Sequence, residues 1–318
     1  MKPTVALSTC WCSGRHQDGY EMLREMADLG FEYVELSHGI RITLVPGILK
    51  AVEEGIIKVS STHNFCPLPA GIDRPAPNLY SPSSPDPREH QQWLRHTRRS
   101  LEFSRQVGAR VMVTHMGNVR FFWTRPGSKL KEYLRKNPDT DVWGEPFQKL
   151  ARKTIEKIRK KMPPFWDQLQ MSIEEIVSDA ERCNVIIGAE NREGCEELPL
   201  DADFPEFFRQ ARDHKSVAWW HDVGHARIKE QLGLLKHWEF LEENHGKLAG
   251  FHLHDVSEEG NDHLALGTGT VDFEMISEYF RPEHILVLEL HPRVPVEGVV
   301  ESRDYLEKLL ARRGLAEG

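Results

Sequence analysis

The 318-residue sequence has no stretch approaching ~18 consecutive apolar residues, which excludes a helix spanning a bilayer. Its first residues, MKPTVALSTCWCSG, carry one Lys and no apolar run long enough for a secretory signal. Positive charge is not in excess: 41 Lys and Arg stand against 49 Asp and Glu, a formal net charge of −8. That balance gives no whole-chain reason to bind nucleic acid or an anionic membrane. Cysteine is scarce. The odd, scattered set Cys10, Cys12, Cys66, Cys183 and Cys195 is a poor disulfide framework and fits a reducing cytoplasm. Cys10-Trp11-Cys12 lacks the two-residue gap of a redox or zinc pair and reads as loop and core. No tandem repeat or low-complexity tract is apparent. No G-x-G-x-x-G follows the first strand, which weighs against a doubly wound dinucleotide fold.

What remains is the composition of a soluble globular chain with material for a large core, 39% hydrophobic and 28% charged. Short β-branched runs alternate with longer amphipathic stretches. The runs are Thr4–Ser8, Tyr33–Leu36, Ile57–Ser61, Val111–Thr114, Val185–Ala189, Val217–Trp220, Leu248–Phe251 and Ile285–Leu288. Helices are expected over 20–29, 46–54, 88–107, 168–182 and 302–312, the first three closed by Gly30, Gly55 and Gly108. Repeated βα units imply a parallel sheet, and eight strands imply a closed (β/α)₈ barrel forming one domain over 1–318. Residues 118–166, rich in aromatics, Pro and Lys/Arg, read as an insertion in the loop after strand four.

The residues that end these strands carry the chemistry. Strand three runs into His63, strand four into His115, strand five into Glu190 and strand six into His221-Asp222. Strand seven runs into His252 and strand eight into Glu289. In a barrel these ends meet at the C-terminal face, where barrel active sites lie. Any single one is explained by a polar residue opening a loop. Together, carboxylates so close would repel and shift each other's pKa unless a cation sat among them. Asp222-Val223-Gly224-His225 places a second imidazole three residues beyond the aspartate, with Gly224 expected to allow a sharp turn. His263 adds another on a Gly-rich loop.

On His63, Thr114-His115, Glu190-Asn191, Asp222-Val223-Gly224-His225, His252-Leu253-His254-Asp255, the His263 loop and Glu289, the sequence resembles the xylose isomerase-like barrels. These include sugar isomerases, ketose 3-epimerases and the endonuclease IV branch. The resemblance implies one divalent metal held by Glu190, Asp222, His252 and Glu289, with His225 contacting substrate. A shell of two Glu, one Asp and one His suits manganese first, with zinc, cobalt or magnesium as alternatives, and recruitment of the surplus histidines would favour zinc. The endonuclease IV pattern recruits His63, His115, His225, His263 and an aspartate two residues before the last His into a three-zinc cluster. Here that position is Asn261, a poorer ligand than a carboxylate, although Asp262 lies next door.

Three functions follow as expectations. The first is a metal-dependent isomerase or epimerase of a sugar or sugar phosphate. In it Glu190 and Glu289 take and return a proton beside a carbonyl through an enediolate. The second is a multi-zinc phosphodiesterase on abasic DNA, whose one dense basic run, Lys149 to Lys161, reads instead as the solvated face of an amphipathic helix. The third is a lyase or hydrolase on a keto-sugar, and a non-catalytic scaffold is disfavoured by the surplus of titratable groups. Trp11, Phe121, Phe122 and Trp123 are candidates to wall a sugar pocket. Arg192, Arg227 and Arg293 are candidates for an anionic substrate group, against a surface salt bridge. His254 and Asp255 are expected to support His252 from behind. Glu35, ending strand two, either supports the cluster or faces solvent. A small-molecule partner is expected, with no nucleic acid and no membrane, and self-association into a homo-oligomer is compatible with the sequence.

Overall fold

The computed structural model describes residues 2–122, 125–211 and 214–316. Eight parallel strands close into a barrel in sequence order: β1 (Thr4–Ser8), β2 (Tyr33–Leu36), β3 (Lys58–His63), β4 (Val111–Thr114), β5 (Ile186–Glu190), β6 (Val217–Asp222), β7 (Leu248–Leu253) and β8 (Ile285–Leu288). β8 pairs with β1 from Thr4↔Ile285 to Leu7↔Leu288, so no edge is left open. A small apolar plug of Ala6, Val111, Val113, Trp220, Ile285 and Val287 fills the barrel interior. The larger core lies between strands and helices, where Leu7, Val34, Met112, Ile187, Trp219, Phe251 and Leu286 meet the helical layer. The alternation sends one residue inward and the next outward, which is why a strand carries both kinds of core.

The helices start and stop where local chemistry demands it. In α1 (Gly19–Asp28) the Asp18 carboxylate accepts the Tyr20 N–H at 2.6 Å. Helix α2 spans Val45–Glu53. In α3 (Pro87–Val107) Asp86 caps the Arg88 N–H and Pro87 sits in the first turn. The glycines expected to close these three helices all adopt left-handed backbone, Gly30 at φ +87°, Gly55 at +71° and Gly108 at +76°.

Between β4 and β5 lie α4 (Pro126–Lys136), α5 (Glu145–Lys161) and α6 (Pro163–Cys183). The span 118–166 is therefore not one unit. Its expected end falls inside α6, which starts at Pro163 and packs against α3 as a helix of the outer ring. The basic run occupies α5, which buries Phe147, Ala151, Thr154 and Ile158 and turns its cations outward, an amphipathic helix as expected. The later helices α7 (Phe204–Gln210), α8 (Val223–Gln231), α9 (His237–Asn244) and α10 (Phe273–Ser277) are short, and α11 (Val296–Arg312) closes the ring. No helix among the described residues is long and apolar enough to cross a membrane.

Candidate metal centre

Four side chains from four neighbouring strand ends converge at the C-terminal face of the barrel. Glu190 ends β5, Asp222 ends β6, His252 lies in β7 and Glu289 follows β8, its N–H donated to Leu253 O at 3.1 Å. Asp222 and His252 are register partners, which sets their side chains side by side. His252 Nδ1 is 3.1 Å from Glu289 Oε2, 3.3 Å from Glu190 Oε1 and 3.8 Å from Asp222 Oδ2. One ligand atom from each of the four lies within 4.8 Å of all the others. None of the four is more than 4% exposed.

Three carboxylates packed this tightly need positive charge among them. Burial works against a charged His252, yet Glu289, Glu35 and Glu190 around it hold its pKa well above the usual imidazole value. Burial likewise opposes charge on Glu190 and Glu289. Arg192 and His115 on one, and His252 and His263 on the other, hold both carboxyls well below the usual range. Three anionic oxygen donors and one imidazole, buried and aimed at one point, fit a borderline divalent cation. The residues present therefore suit the ion that the sequence resemblance implies.

The further imidazoles ring this point. His63 Nε2 and His115 Nε2 lie 3.4 and 2.9 Å from the outer oxygen of Glu190, and the three offer a second set of ligand atoms. His115 is fixed through Nδ1 to Asn78 Oδ1 at 2.7 Å. His225 Nδ1 is 3.2 Å from Asp222 Oδ2 and 3.6 Å from Glu190 Oε1. His254 Nδ1 accepts the His263 N–H at 2.9 Å, so its proton sits on Nε2 and is donated to Asp222 Oδ1 at 3.1 Å. His263, held at φ +55°, stacks on His254 at 4.2 Å and reaches Glu289 Oε2 at 3.6 Å. Asn261 does not turn inward. Its amide donates to Ser257 Oγ at 3.1 Å, and Asp262 is the acid that contacts His263, at 3.2 Å.

Of the two readings open for Glu35, support for the cluster or solvent, the first holds, since it is fully buried and bonded to His252 Nε2, whereas His38 is a residue of the site that the sequence does not single out. An acid ending an apolar strand was the one signal of Glu35. His38, two residues past β2, sets its ring edge-on against His63 at 4.8 Å, and its Nδ1 is buried with no hydrogen-bond partner among the described residues. Its signal was weaker still, a lone histidine in a loop.

The remaining candidates divide. Arg192 joins the centre, bonding Glu190 Oε1, Glu197 Oε1 and the His225 ring, each at 3.3 Å. Trp11 is packed into the core at 2% exposure and donates its indole N–H to Val294 O at 2.8 Å. Arg227 turns instead to Thr270 Oγ1 and Glu230, at 3.0 and 2.6 Å. Arg293 is exposed on the loop after β8. Phe121 sits beneath Lys157 and Lys161 on α5, Phe122 is 96% exposed, and Trp123 lies outside the described residues.

Gly224 is not in a turn. It lies in the first turn of α8, capped by Asp222 Oδ1 on the His225 N–H at 2.7 Å. Glycine is required there because a Cβ would stand 2.0 Å from His254 Cε1. Among the described residues neither His254 nor Asp255 is hydrogen-bonded to His252: His254 donates to Asp222 instead. Asp255 Oδ1 accepts the N–H groups of Val256 and Val271, and its Oδ2 accepts that of Gly269, at 2.8–3.0 Å. It thereby fixes the loop that carries Leu264 to Val271. Asp255→Asn sets an amide N–H₂ against one of these donors. Urea denaturation is expected to read a loss of about 1–3 kcal/mol, and an unchanged midpoint would remove the assignment.

Comparison with known proteins agrees with this architecture. The profile of the xylose isomerase-like TIM barrel family matches residues 23–309. No match was found among curated protein sequences. Among solved structures, the chain is similar to an L-ribulose 3-epimerase at 14% identity and TM-score 0.68, covering 98% of this chain and 96% of that one. It is also similar to a D-tagatose 3-epimerase-like protein at 16% identity and TM-score 0.67, covering 98% of both. A third is the 3-keto-D-glucoside 4-epimerase from E. coli, at 15% identity and TM-score 0.65, covering 96% of this chain and all of that one. At such identities the likeness is one of fold, and the family match spans nearly the whole barrel. The chain belongs to the xylose isomerase-like TIM barrel family.

Proposed function

We propose that the protein is a divalent-metal-dependent isomerase or epimerase of a sugar or sugar phosphate. One observation carries this reading: Glu190 and Glu289, from strands on opposite sides of β6 and β7, reach the same buried point as His252 and Asp222. A bound divalent ion supplies polarisation of the substrate carbonyl and the adjacent hydroxyl, which acidifies the carbon–hydrogen bond between them. Glu190, kept ionised by Arg192 and His115, takes that proton and leaves an enediolate. On the other face Glu289 relays a proton from the imidazole of His263, 3.6 Å from its Oε2, while Glu190 passes its own to solvent, so both carboxylates are restored. Return to the same carbon inverts it, and return to its neighbour exchanges aldose for ketose. His225 and His263 are placed to receive substrate hydroxyls, and the burial of the four ligands keeps bulk water from the enediolate. Sugar epimerases among the proteins of similar fold support the substrate class. A lyase on a keto-sugar would begin with the same proton abstraction and expel a leaving group instead.

The second reading, a multi-zinc phosphodiesterase on abasic DNA, draws on the set His63, His115 and Glu190. Against it stand the outward-turned Asn261 and the acidic chain. Metal analysis of the purified protein, run with solvent-deuterium exchange over a panel of ketoses and keto-glycosides, separates the two. About one equivalent of metal with carbon-bound deuterium is the expected result. Three zincs with nicking of abasic DNA and no exchange would overturn it.

A further inference from the structure

We propose that Glu35 is a positioning residue that sets the affinity of the centre for its divalent ion by acting through the imidazole of His252. The proposal rests on the metal-centre reading above.

Strand register builds the arrangement. Ser8 in β1 pairs with Glu35 in β2, and Glu35 pairs with Ser61 in β3, so three polar side chains form one row across three adjacent strands. The row faces the barrel interior, where all three residues have no exposure. Ser8 Oγ donates to Glu35 Oε1 at 3.1 Å and Ser61 Oγ to Oε2 at 2.9 Å. His252 Nε2 lies 3.1 Å from both carboxylate oxygens. Among the described residues, His252 is the ion-pair partner of Glu35. A carboxylate this deep is costly without donors, and the two hydroxyls and the ring N–H supply them.

The consequence falls on His252. Its Nδ1 faces Glu190, Asp222 and Glu289, so a bound cation requires a lone pair there and the proton on Nε2. Trp220 packs edge-on against the ring at 5.2 Å and holds its position, but an aromatic face does not select a tautomer. Glu35 does, because both of its oxygens stand 3.1 Å from Nε2 as acceptors. By taking the Nε2 proton into a hydrogen bond it fixes ring orientation and leaves Nδ1 the more basic donor. Serine donors on both oxygens keep the acceptor pinned in place. A fourth carboxylate, outside the ligand set, thus tunes the centre from the opposite wall of the barrel.

The test is Mn²⁺ titration of the chelator-stripped full-length protein by calorimetry, with native, Glu35→Gln and Glu35→Asp chains compared. Glutamine keeps the shape and loses the charge. It is expected to weaken binding ~10–100-fold while the metal-free melting temperature changes little, and aspartate is expected to restore part of the affinity. A lowered melting temperature with unchanged Mn²⁺ affinity would make Glu35 a structural residue alone and overturn the proposal. If Glu35→Gln does not fold, Ser61→Ala frees one carboxylate oxygen within an intact barrel. It should weaken binding by a smaller factor, and unchanged affinity there also overturns the proposal. Native protein that binds no Mn²⁺ would sink the metal-centre reading together with this one. Native binding equalled by Glu35→Gln sinks this one alone.

Discussion

Glu289→Gln is expected to lower isomerisation or epimerisation of the substrate by ~10²–10⁴-fold while the barrel stays folded. The glutamate opens the loop after β8, with its Oε2 3.1 Å from His252 Nδ1 and 3.6 Å from His263 Nε2. Glutamine fits the same space, so secondary structure measured by circular dichroism should not move. What changes is charge and basicity. The centre loses one of three anionic donors, so metal content falls, and the face of the substrate opposite Glu190 loses the group that returns the proton. The same variant is predicted to retain exchange more than isomerisation, because Glu190 can still abstract. If metal content and every activity in the ketose panel survived the change, the four-residue site would be misassigned.

Gly224→Ala is expected to destabilise the protein by on the order of 3 kcal/mol, at the upper end of overpacking costs, lowering the melting temperature by about 5 °C or more. The added methyl would stand 2.0 Å from His254 Cε1 and 2.5 Å from its Nδ1. The ring cannot step aside, since it donates to Asp222, accepts from the His263 backbone and stacks on the His263 ring. Relief must come from moving α8, which carries His225, or the His263 loop. Metal-supported exchange should therefore fall with stability, unlike in an ordinary helix, where Gly→Ala at an exposed position stabilises. A melting temperature equal to the native one would show that the close approach of ring and helix has been misread.

Much of the barrel was legible because alternation and length decide it. The runs of β1, β2, β4 and β8 coincide with the structure to the residue. The other four run on into the polar residues beyond the apolar stretch, β5 through Glu190, β6 through Asp222, β7 through Leu253 and β3 through His63. Backbone pairing continues there because the cluster gives those side chains partners, a reason that hydropathy does not carry. The helices α7 to α10 passed unnoticed for a related cause. They are short, and α8 buries His225 and Lys229 beside Val223 and Ile228, which blurs the helical period. Tertiary approach explains the difference at Gly224, since what demands glycine there is His254, 30 residues on in sequence and just past the end of β7. Closeness in sequence suggests Asp255 as support for His252, but it lies past the end of β7 and its carboxylate is taken up by the N–H groups of Val256, Gly269 and Val271. Glu35 illustrates the converse: only register, Ser8↔Glu35↔Ser61, shows that it faces in.

The order of the ligands along the chain has a consequence for synthesis. Glu190 is delivered by β5 and Glu289 only after β8, whose docking onto β1 closes the ring. A nascent or truncated chain therefore holds scattered acids and imidazoles but not the complete chelate. Since an ion that binds the native state alone stabilises it by mass action, metal capture on the reading proposed above would act as a seal on completed chains. Loss of the last strand removes the seal and one strand of the barrel wall in the same event, so resistance to proteolysis and metal retention should rise and fall together.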